Sequence, residues 1–319
     1  MKIIHMSDIH GDMKMFERAM RLIKAKSDAK VVAITGDLAG RVLEGDKRDL
    51  FAGLSKNLRE LRNDFYNESN GKIATQRDVA EAILSGEIEF KDDSEKAKRF
   101  AKDYIELEKE TKQGMRNQYE TFKQGLEDLS QDKEIVLVPG HCDGKCIDDY
   151  LARFNIHSRH GKKVNVKGVN FVGYGGARVI PNDIPEEWLV HFNENEAYKH
   201  LVENTPEDGP CVTLLHTPVA GYEGDKSDVG SYALLAYMNL KQPDAILQGH
   251  THVHDMYRDN RTGTMVVNPG NLGAYEDNEG GKLFELDVDE EAGWVKPSKF
   301  LTITGDHDCK MISFEKKSA

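Results

Sequence analysis

The sequence predicts an α/β fold interrupted by a long helical insertion, and three observations lead to this interpretation. The N-terminal segment alternates strand, helix and strand, which predicts a parallel pair of strands joined by a helical crossover. A charge-dense stretch from about residue 46 to residue 133 shows helical but no strand periodicity. Finally, five short apolar runs of strand length each end at acidic or histidine residues, namely Asp8 with His10, Asp37, His141 to Asp143, His216, and His250 with His252.

The N-terminal elements follow from local patterning. Lys2 to Met6 is expected to form a buried strand, and Val31 to Ile34 a second one. Between them, residues 13–26 place apolar side chains on one side of a helix, and Asp12 is expected to cap its first turn. In an open α/β sheet, ligands bind at the carboxyl ends of the strands, so we expect the five polar clusters to converge.

The charge-dense stretch is expected to form a helical hairpin whose two apolar stripes face each other. A second helix from about residue 94 to residue 129 would be about 50 Å long, since each residue adds about 1.5 Å. Such an insertion would stabilise itself, mediate a homodimer, or cover the substrate as a lid. The two stripes are Leu50, Leu54, Leu58, Leu61 and Phe65, then Phe100, Tyr104, Leu107, Met115, Phe122, Leu126 and Leu129. Val79 to Leu84 predicts a short helix between them.

Beyond residue 133 the α/β pattern resumes. Helices are expected at 146–154, 194–203 and 231–239, the last one capped by Ser231. Strands are expected at 135–138, 164–166, 169–174, 211–215, 245–248, 264–267 and 282–286, with edge strands at 300–303 and 311–314. We therefore expect a catalytic domain made of residues 1–45 and 134–319, and an insertion made of residues 46–133.

Composition narrows the possible functions and locations. Charged residues make up 31% of the 319 residues, and the net charge of −12 disfavours binding to long nucleic acids, which requires a basic surface. No apolar run is long enough to span a bilayer, and the N-terminus lacks the apolar core of a signal peptide. The four cysteines show no disulfide-framework spacing. These features predict a cytoplasmic protein without a membrane partner.

The chemistry of the clusters predicts a site for two metal ions. Mixed carboxylate and imidazole donors suit Mn²⁺, Fe, Co²⁺ or Zn²⁺. The candidate ligands are too numerous for one tetrahedral ion, but they suit two ions about 3.5–4 Å apart that share a bridging carboxylate. Asp37, alone at the end of its strand, is the natural bridge. Such a pair binds phosphate and lowers the pKa of a water, so that the resulting hydroxide attacks phosphorus.

The order of the motifs resembles that of the calcineurin-like metallophosphoesterases. That family shows Asp-x-His, Gly-Asp, Gly-Asn-His-Asp, His and Gly-His-x-His at successive strand ends, and this chain matches four of the five motifs. The resemblance implies a four-layer α/β/β/α sandwich. It also implies two divalent metal ions, with Mn²⁺ foremost and Fe, Zn²⁺, Co²⁺ or Ni²⁺ as alternatives. By the resemblance, the first ion would take Asp8, His10, Asp37 and His252, and the second Asp37, His141, His216 and His250.

The third motif departs from the family pattern. Aligning Pro139 and Gly140 with the family sequence puts His141 in the asparagine position and Cys142 in the histidine position. In the family, that histidine helps to protonate the leaving oxygen, and a thiol with an ordinary pKa of about 8.5 is a poorer acid for this step. Some phosphodiesterases of the superfamily carry Gly-Asn-Cys-Asp here. Asp143 is expected to orient its neighbour.

The resemblance to that branch implies a phosphodiesterase that acts on a small phosphoester or a nucleotide-type substrate. Two alternatives stay open: a phosphomonoesterase of the same fold, and a non-catalytic scaffold that has kept the fold. Other polar residues are expected to be structural. We interpret His254 as a solvated loop histidine, Arg178 as a surface residue, Asn268 and Asn271 as turn formers or phosphate contacts, and Asp306 to Cys309 as a solvated tail.

Overall fold

A computed structural model describes most of the chain. The described residues are 1–40, 42–66, 73–88, 94–151, 163–178, 184–185, 188–221, 229–273, 281–289, 294–303 and 309–313. Their helices are α1 (Met13–Lys26), α2 (Gly45–Phe65), α3 (Gln76–Ser85), α4 (Ser94–Ser130), α5 (Ile147–Leu151), α6 (Glu194–Asn204) and α7 (Tyr232–Lys241). None of these helices combines the length and the apolar character needed to cross a membrane.

The described strands form two six-stranded sheets. The first sheet has the order β12-β11-β10-β1-β2-β3, and the second β4-β5-β6-β7-β9-β8. The strands are β1 (Lys2–Met6), β2 (Val31–Thr35), β3 (Glu134–Val138), β4 (Val164–Val166), β5 (Val169–Tyr174), β6 (Cys211–Leu215), β7 (Ala245–Leu247), β8 (His254–Arg258), β9 (Met265–Pro269), β10 (Lys282–Asp289), β11 (Trp294–Ile303) and β12 (Cys309–Ser313).

The two sheets pack face to face between two layers of helices, which confirms the expected four-layer sandwich. Alternate residues of a strand point to opposite faces, so each inner strand contributes to two cores. In β1, Ile3 lies in the core between the sheets, while Ile4 packs against α1 on the outer face. The second sheet packs its outer face against α6 and α7. Strands β1, β2 and β3 are parallel, as are β5, β6, β7 and β9.

Most of the expected elements are present, with small differences at their ends. Asp12 caps α1 by accepting a hydrogen bond from the backbone N–H of Met15 at 2.9 Å, and Ser231 caps α7 in the same way. Both strands expected near the C-terminus are found, as β11 and β12, but only β12 is an edge strand, because β11 pairs with β10 as well as with β12. Strand β8 was not expected, because its polar residues lack alternation. Residues 152–154 of the helix expected at 146–154, and residues 306–308 of the expected tail, lie outside the described residues.

The long helix α4 corrects the expected pairing of apolar stripes. Its 37 residues would span about 55 Å, whereas the 21 residues of α2 span about 32 Å. Only the first half of α4, including Tyr104 and Leu107, therefore packs against α2 and α3. The second half, including Met115, Tyr119 and Phe122, packs against α1 in the outer core of the first sheet. The division of the chain into two domains at residues 46 and 133 stays a prediction.

The stripe on α2 also begins at a different residue from the one expected. Leu50 is 48% exposed, whereas its neighbour Phe51 is fully buried. At about 100° per residue, both lie about 50° from the centre of the stripe, so helical periodicity does not distinguish them. Phe51 is buried because its ring stacks on Tyr104 of α4, with ring centroids 5.4 Å apart.

We call the apolar cluster formed by α2, α3 and the first half of α4 the distal helical cluster. Phe51 and Leu50 offer a matched test of its contribution to stability. We expect Phe51→Ala to lower the free energy of unfolding by about 3–5 kcal/mol, because it leaves a cavity beneath the Tyr104 ring. Leu50→Ala should lower it by less than about 0.5 kcal/mol, because that side chain is largely in solvent. Urea titrations followed by far-ultraviolet circular dichroism measure both values, and equal losses would contradict the observed burial.

Candidate metal centre

The acidic and histidine residues of the five motifs meet at one edge of the sandwich. They follow β1, β2 and β3 of the first sheet, and β6 and β7 of the second, always at the carboxyl end of a parallel strand. Asp8, Asp37 and His216 are fully buried there. Four overlapping groups of three residues bring their potential ligand atoms within 4.8 Å of one another. The expected convergence is therefore present in the structure.

We call Asp8, His10 and His252 the first cluster. The Nε2 atoms of His10 and His252 lie 2.9 Å apart. The Oδ1 atom of Asp8 lies 3.8 Å from the Nε2 of His10 and 3.4 Å from the Nε2 of His252. One carboxylate oxygen and two imidazole nitrogens therefore face a common point.

We call His141, His216 and His250 the second cluster. The Nδ1 of His141 lies 3.1 Å from the Nε2 of His216. The ring of His250 meets that of His141 edge to face, with centroids 4.6 Å apart. This cluster is made of imidazoles alone, so a carboxylate must come from elsewhere if a cation is to be neutralised.

Asp37 supplies that carboxylate and lies between the two clusters. Its Oδ2 is 3.0 Å from the Nδ1 of His141, 3.2 Å from the Nε2 of His216 and 3.8 Å from the Nε2 of His10. Its Oδ1 accepts a hydrogen bond from the backbone N–H of Cys142 at 2.7 Å. Asp37 therefore lies within reach of nitrogens of both clusters, and the bridging role expected of it stays a prediction.

Strained backbone conformations concentrate at this site. Among the described residues, seven that are not glycine have positive φ, a region that L-residues rarely occupy. Five of the seven are motif residues: Asp8 (+55°), His10 (+50°), Asp37 (+50°), His250 (+73°) and His252 (+55°). Such conformations persist only where the surrounding structure imposes them, and they cluster at functional sites.

Two motif glycines are required because neighbouring loops leave no room for a side chain at these positions. A Cβ atom on Gly140 would lie 2.1 Å from the Oδ1 of Asp37. On Gly249 it would lie 2.0 Å from the Oγ of Ser7 and 2.7 Å from the Oδ2 of Asp8. Any side chain at either position would therefore displace a carboxylate of the site or its support.

The two carboxylates stay charged although they are buried. Burial by itself would raise the pKa of Asp37, but the neighbouring His141 and His216 hold that pKa well below its ordinary value. Burial opposes ionisation of Asp8 in the same way, yet the contact with His252 brings its pKa to about 2. The site therefore carries two negative charges near neutral pH.

The histidines divide into two kinds. Burial lowers the pKa of His10 to about 4 and that of His250 well below its ordinary value, so both are neutral and have a lone pair to donate. For His216, burial acts in the same direction, but the charge of Asp37 outweighs it and raises the pKa to about 9. The negative charge of Asp37 therefore favours a positive charge at this position, and a proton on His216 supplies it.

The residues present fit a divalent cation. The Nδ1 of His250 is buried, and within the described part of the chain no hydrogen-bond partner reaches it. Buried polar atoms normally have partners, so this nitrogen requires an explanation. A carboxylate oxygen and several imidazole nitrogens that converge on one place are typical of metal ligands.

Cys142 lies beside both clusters. Its side chain is buried, and its Sγ lies 3.6 Å from the Nε2 of His141. The thiol also falls in one group with the ligand atoms of His10 and Asp37. The thiol therefore lies close to potential ligand atoms of both clusters.

The Asp143 carboxylate binds backbone N–H groups instead of facing the two clusters. Its carboxylate accepts hydrogen bonds from the N–H groups of Leu38, Ala39 and Gly140, at 3.1, 3.0 and 2.8 Å. It also accepts one from the hydroxyl of Tyr119 at 3.0 Å. Asp143 therefore ties together the loops after β2 and β3, and its expected role in orienting its neighbour stays a prediction.

Sequence reasoning did not place α4 at this site. Tyr119 contacts Asp143, and the Gln118 side chain bonds to the backbone of Gly40, three residues beyond Asp37. A weak signal existed for Tyr119, which falls four residues after Met115 and three before Phe122, at the spacing of a buried helical stripe. Neither residue belongs to a recognisable chemical motif.

The remaining polar residues have structural contacts, and one expectation about them was wrong. His254 is not a solvated loop residue: it begins β8, and its ring stacks on Phe284 and Phe300 with centroids 4.6 and 3.9 Å away. Arg178 is partly exposed and donates to the carbonyl of Gly230. Cys309 is the first residue of β12, and the other residues of the expected tail segment lie outside the described residues.

The two asparagines shape turns. Asn268 donates from its amide to the carbonyl of Gly249 and to the hydroxyl of Thr251, each at 3.0 Å, so it holds the turn that carries His250. Asn271 donates to the carbonyl of Gly273 at 2.7 Å. Their amide nitrogens are therefore engaged within the protein.

Comparison with known proteins identifies the family. The family model described as calcineurin-like phosphoesterase matches residues 1–254. The chain belongs to the calcineurin-like phosphoesterase family. The part outside the match includes β9 to β12, which complete both sheets. The family's metal-dependent chemistry agrees with the grouped Asp and His ligand atoms.

Individual relatives agree with this family but share little sequence. An uncharacterised protein of Methanocaldococcus jannaschii, MJ1162, is 29% identical over 152 residues, which are 45% of this chain and 67% of that protein. The crystal structure of TT1561 from Thermus thermophilus has a TM-score of 0.51 and 16% identity, and the match covers 93% of this chain and 97% of that one. Another solved structure has a TM-score of 0.55 and 14% identity, with 98% of this chain covered and 99% of that one. At such identities these structures support the fold alone.

Replacing one histidine tests whether the second cluster binds metal. If each cluster holds one cation, His141→Ala should lower the Mn²⁺ content from two ions per chain to one, because it removes the nitrogen 3.0 Å from Asp37. Metal analysis after gel filtration at fixed free Mn²⁺ measures this content. His191→Ala, an exposed histidine outside both clusters, is the control. An unchanged metal content in His141→Ala would exclude His141 as a ligand.

Proposed function

We propose that this calcineurin-like phosphoesterase is a dinuclear metal-dependent phosphodiesterase for small or nucleotide-type substrates. The observation that carries the proposal is the position of Asp37, whose Oδ2 faces nitrogens of both clusters from within 3.8 Å. A shared carboxylate between two sets of imidazoles is the arrangement that a bridged metal pair requires. In this proposal the first ion takes Asp8, His10, Asp37 and His252, and the second takes Asp37, His141, His216 and His250.

Divalent cations at these positions would supply Lewis acidity, which readies a water for attack on phosphorus and neutralises developing charge. The chain's own residues do the rest. Asp8 and Asp37 are ionised and His10 and His250 are neutral, so they present ligands that need no deprotonation. The left-handed backbone at five motif residues fixes where these ligands point before a substrate arrives.

The choice of diesters over monoesters comes from Cys142. The thiol occupies the place where the family has a histidine, and it lies next to His141 and Asp37. A thiol with an ordinary pKa of about 8.5 protonates an alkoxide leaving group less effectively than an imidazolium does. Substrates with good leaving groups, such as activated aryl esters, depend less on such an acid than alkyl monoesters do.

The remaining features of the proposal follow from donor chemistry and charge. Mixed oxygen and nitrogen donors make Mn²⁺ our first choice of metal, with Fe, Zn²⁺, Co²⁺ or Ni²⁺ as alternatives. The net charge of −12 favours small substrates over long nucleic acids, because a polyanion would be repelled. A cytoplasmic location and a homodimer formed through residues 46–133 stay predictions.

Removing the bridge should abolish the reaction. We expect Asp37→Asn to lower hydrolysis of bis(p-nitrophenyl) phosphate with Mn²⁺ by at least about a thousandfold, because an amide holds a metal pair poorly. Asp28→Asn, which changes an exposed carboxylate paired with Lys2, is the control and should retain full activity. A wild-type protein that binds no metal would favour the non-catalytic scaffold, and faster hydrolysis of p-nitrophenyl phosphate would favour the phosphomonoesterase.

The role of the thiol can be tested separately. Cys142→His should raise turnover of an alkyl monoester such as glycerol 2-phosphate by about tenfold or more relative to bis(p-nitrophenyl) phosphate, because an alkoxide needs a proton donor to leave, whereas p-nitrophenolate does not, and imidazole is the better donor. Steady-state rates with both substrates, at saturating Mn²⁺, give the ratio. Cys146→Ser provides the matched control, since Cys146 is outside the groups of potential ligand atoms. A monoester-to-diester ratio that stays the same in Cys142→His would remove Cys142 as the origin of the preference.

A further inference from the structure

The long helix α4 reaches the metal centre through two consecutive residues. Gln118 forms a two-way pair with the backbone of Gly40: its Oε1 accepts from the N–H at 3.1 Å, and its Nε2 donates to the carbonyl at 2.9 Å. A Cβ atom on Gly11 would lie 2.3 Å from the same Nε2, so the Gln118 amide also packs against the residue after His10. One side chain of α4 therefore contacts the loops after β1 and β2.

The next residue of α4 reaches the loop after β3. Tyr119 is fully buried, and its hydroxyl donates to the Oδ1 of Asp143 at 3.0 Å. The same hydroxyl accepts a hydrogen bond from the backbone N–H of Gly144 at 2.8 Å. Asp143 in turn accepts from the backbone of Leu38 and Ala39. The Tyr119 hydroxyl is thus the link between α4 and the carboxylate that joins two loops of the centre.

Both contacts bear on the conformation of Asp37. The three residues that follow it, at positions 38, 39 and 40, have their N–H groups bound by Asp143 or by Gln118. The Asp37 carbonyl accepts from the N–H groups of Ile9 and His10, both at 2.8 Å. Asp37 itself has a φ of +50°, which an L-residue keeps only when its surroundings hold it there. Contacts from α4 on one side and from the loop after β1 on the other therefore keep Asp37 in this conformation.

A third contact places α4 along the same loop. A Cβ atom on Gly114 would lie 2.1 Å from the Cγ1 of Val42, so the helix backbone and this loop touch directly. Gly114 and Gln118 are four residues apart, and therefore lie on one face of the helix. This face contacts Gly40 and Val42, which follow Asp37 closely in the sequence.

We propose that Gln118 and Tyr119 are positioning residues, through which α4 sets the bridging carboxylate of Asp37 between the two clusters. The inference rests on the proposed dinuclear centre and deepens it. Residues 46–133 then contribute to the assembly of the metal site itself, whether or not they also cover a substrate or form a dimer. Polar partners behind metal ligands commonly change metal affinity by about 10- to 100-fold when they are removed.

Two tyrosines on α4 give a matched test. Tyr119→Phe removes the hydroxyl that binds Asp143, and Tyr104→Phe removes a buried hydroxyl that bonds to Gln76 in the distal helical cluster. We expect Tyr119→Phe to weaken Mn²⁺ binding by about 10- to 100-fold and to lower kcat with little change in KM. Tyr104→Phe should change metal affinity and kcat by less than about twofold, even where its loss of thermal stability is the same. Isothermal titration calorimetry and steady-state kinetics provide these values.

Two glutamines on the same helix give a second test. Gln118→Ala should weaken Mn²⁺ binding in the same direction, because it frees the backbone of Gly40. Gln113→Ala, which removes an exposed amide bonded to Asn117, should leave the affinity unchanged. If Tyr119→Phe and Gln118→Ala bind Mn²⁺ and turn over substrate as the wild type does, the positioning role is overturned.

A measurement without metal separates this inference from the proposed function. In metal-free protein, the amides of Leu38 and Ala39 should exchange with deuterium faster in Tyr119→Phe than in the wild type, whereas Tyr104→Phe should leave them unchanged. Unchanged exchange in Tyr119→Phe would overturn positioning by α4. If Tyr119→Phe speeds exchange as expected but the wild-type protein takes up no Mn²⁺, the dinuclear centre is overturned, and with it the role assigned to the two residues.

Discussion

The burial of the Asp37 carboxylate constrains the whole carboxyl edge of the sandwich. A charged carboxylate without exposure to water is very unfavourable unless positive or donor groups surround it. Here His141 and His216 come within 3.2 Å, and the N–H of Cys142 binds the other oxygen. These partners come from loops after β3 and β6, which belong to different sheets. The two sheets must therefore pack at one relative position for the charge to be accommodated.

The inner strands and their motifs were predictable because local pattern and tertiary environment agree there. Strands such as β2 and β7 are buried on both faces, so they appear in the sequence as apolar runs, and each motif follows closely after its run. The order Asp8, Asp37, His216 and His250 follows the chain through successive strand ends. Resemblance to a known family added the pairing of these residues into two groups, and the geometry is arranged in the same way.

The features that escaped prediction are those decided by distant parts of the chain. Phe51 and Leu50 are equivalent by helical periodicity, and only the Tyr104 ring of α4 decides which one is buried. His254 looks like a loop histidine until the aromatic rings of two strands of the other sheet pack on it. The strand β8 is polar, and its pairing with β9 alone defines it. The contact of Tyr119 with Asp143 spans 24 positions of sequence and has no local signature.

The departure in the third motif gives the two clusters different electrostatic characters. The first cluster contains its own carboxylate, Asp8, whereas the second contains three imidazoles and relies on the shared Asp37 for negative charge. An asparagine at position 141 would offer a neutral oxygen; His141 offers a nitrogen, which softer divalent ions prefer. The two clusters therefore differ in their donors, although both lie within reach of the same carboxylate. A cation at the first cluster would be neutralised by two carboxylates, Asp8 and Asp37, whereas one at the second would depend on Asp37 alone.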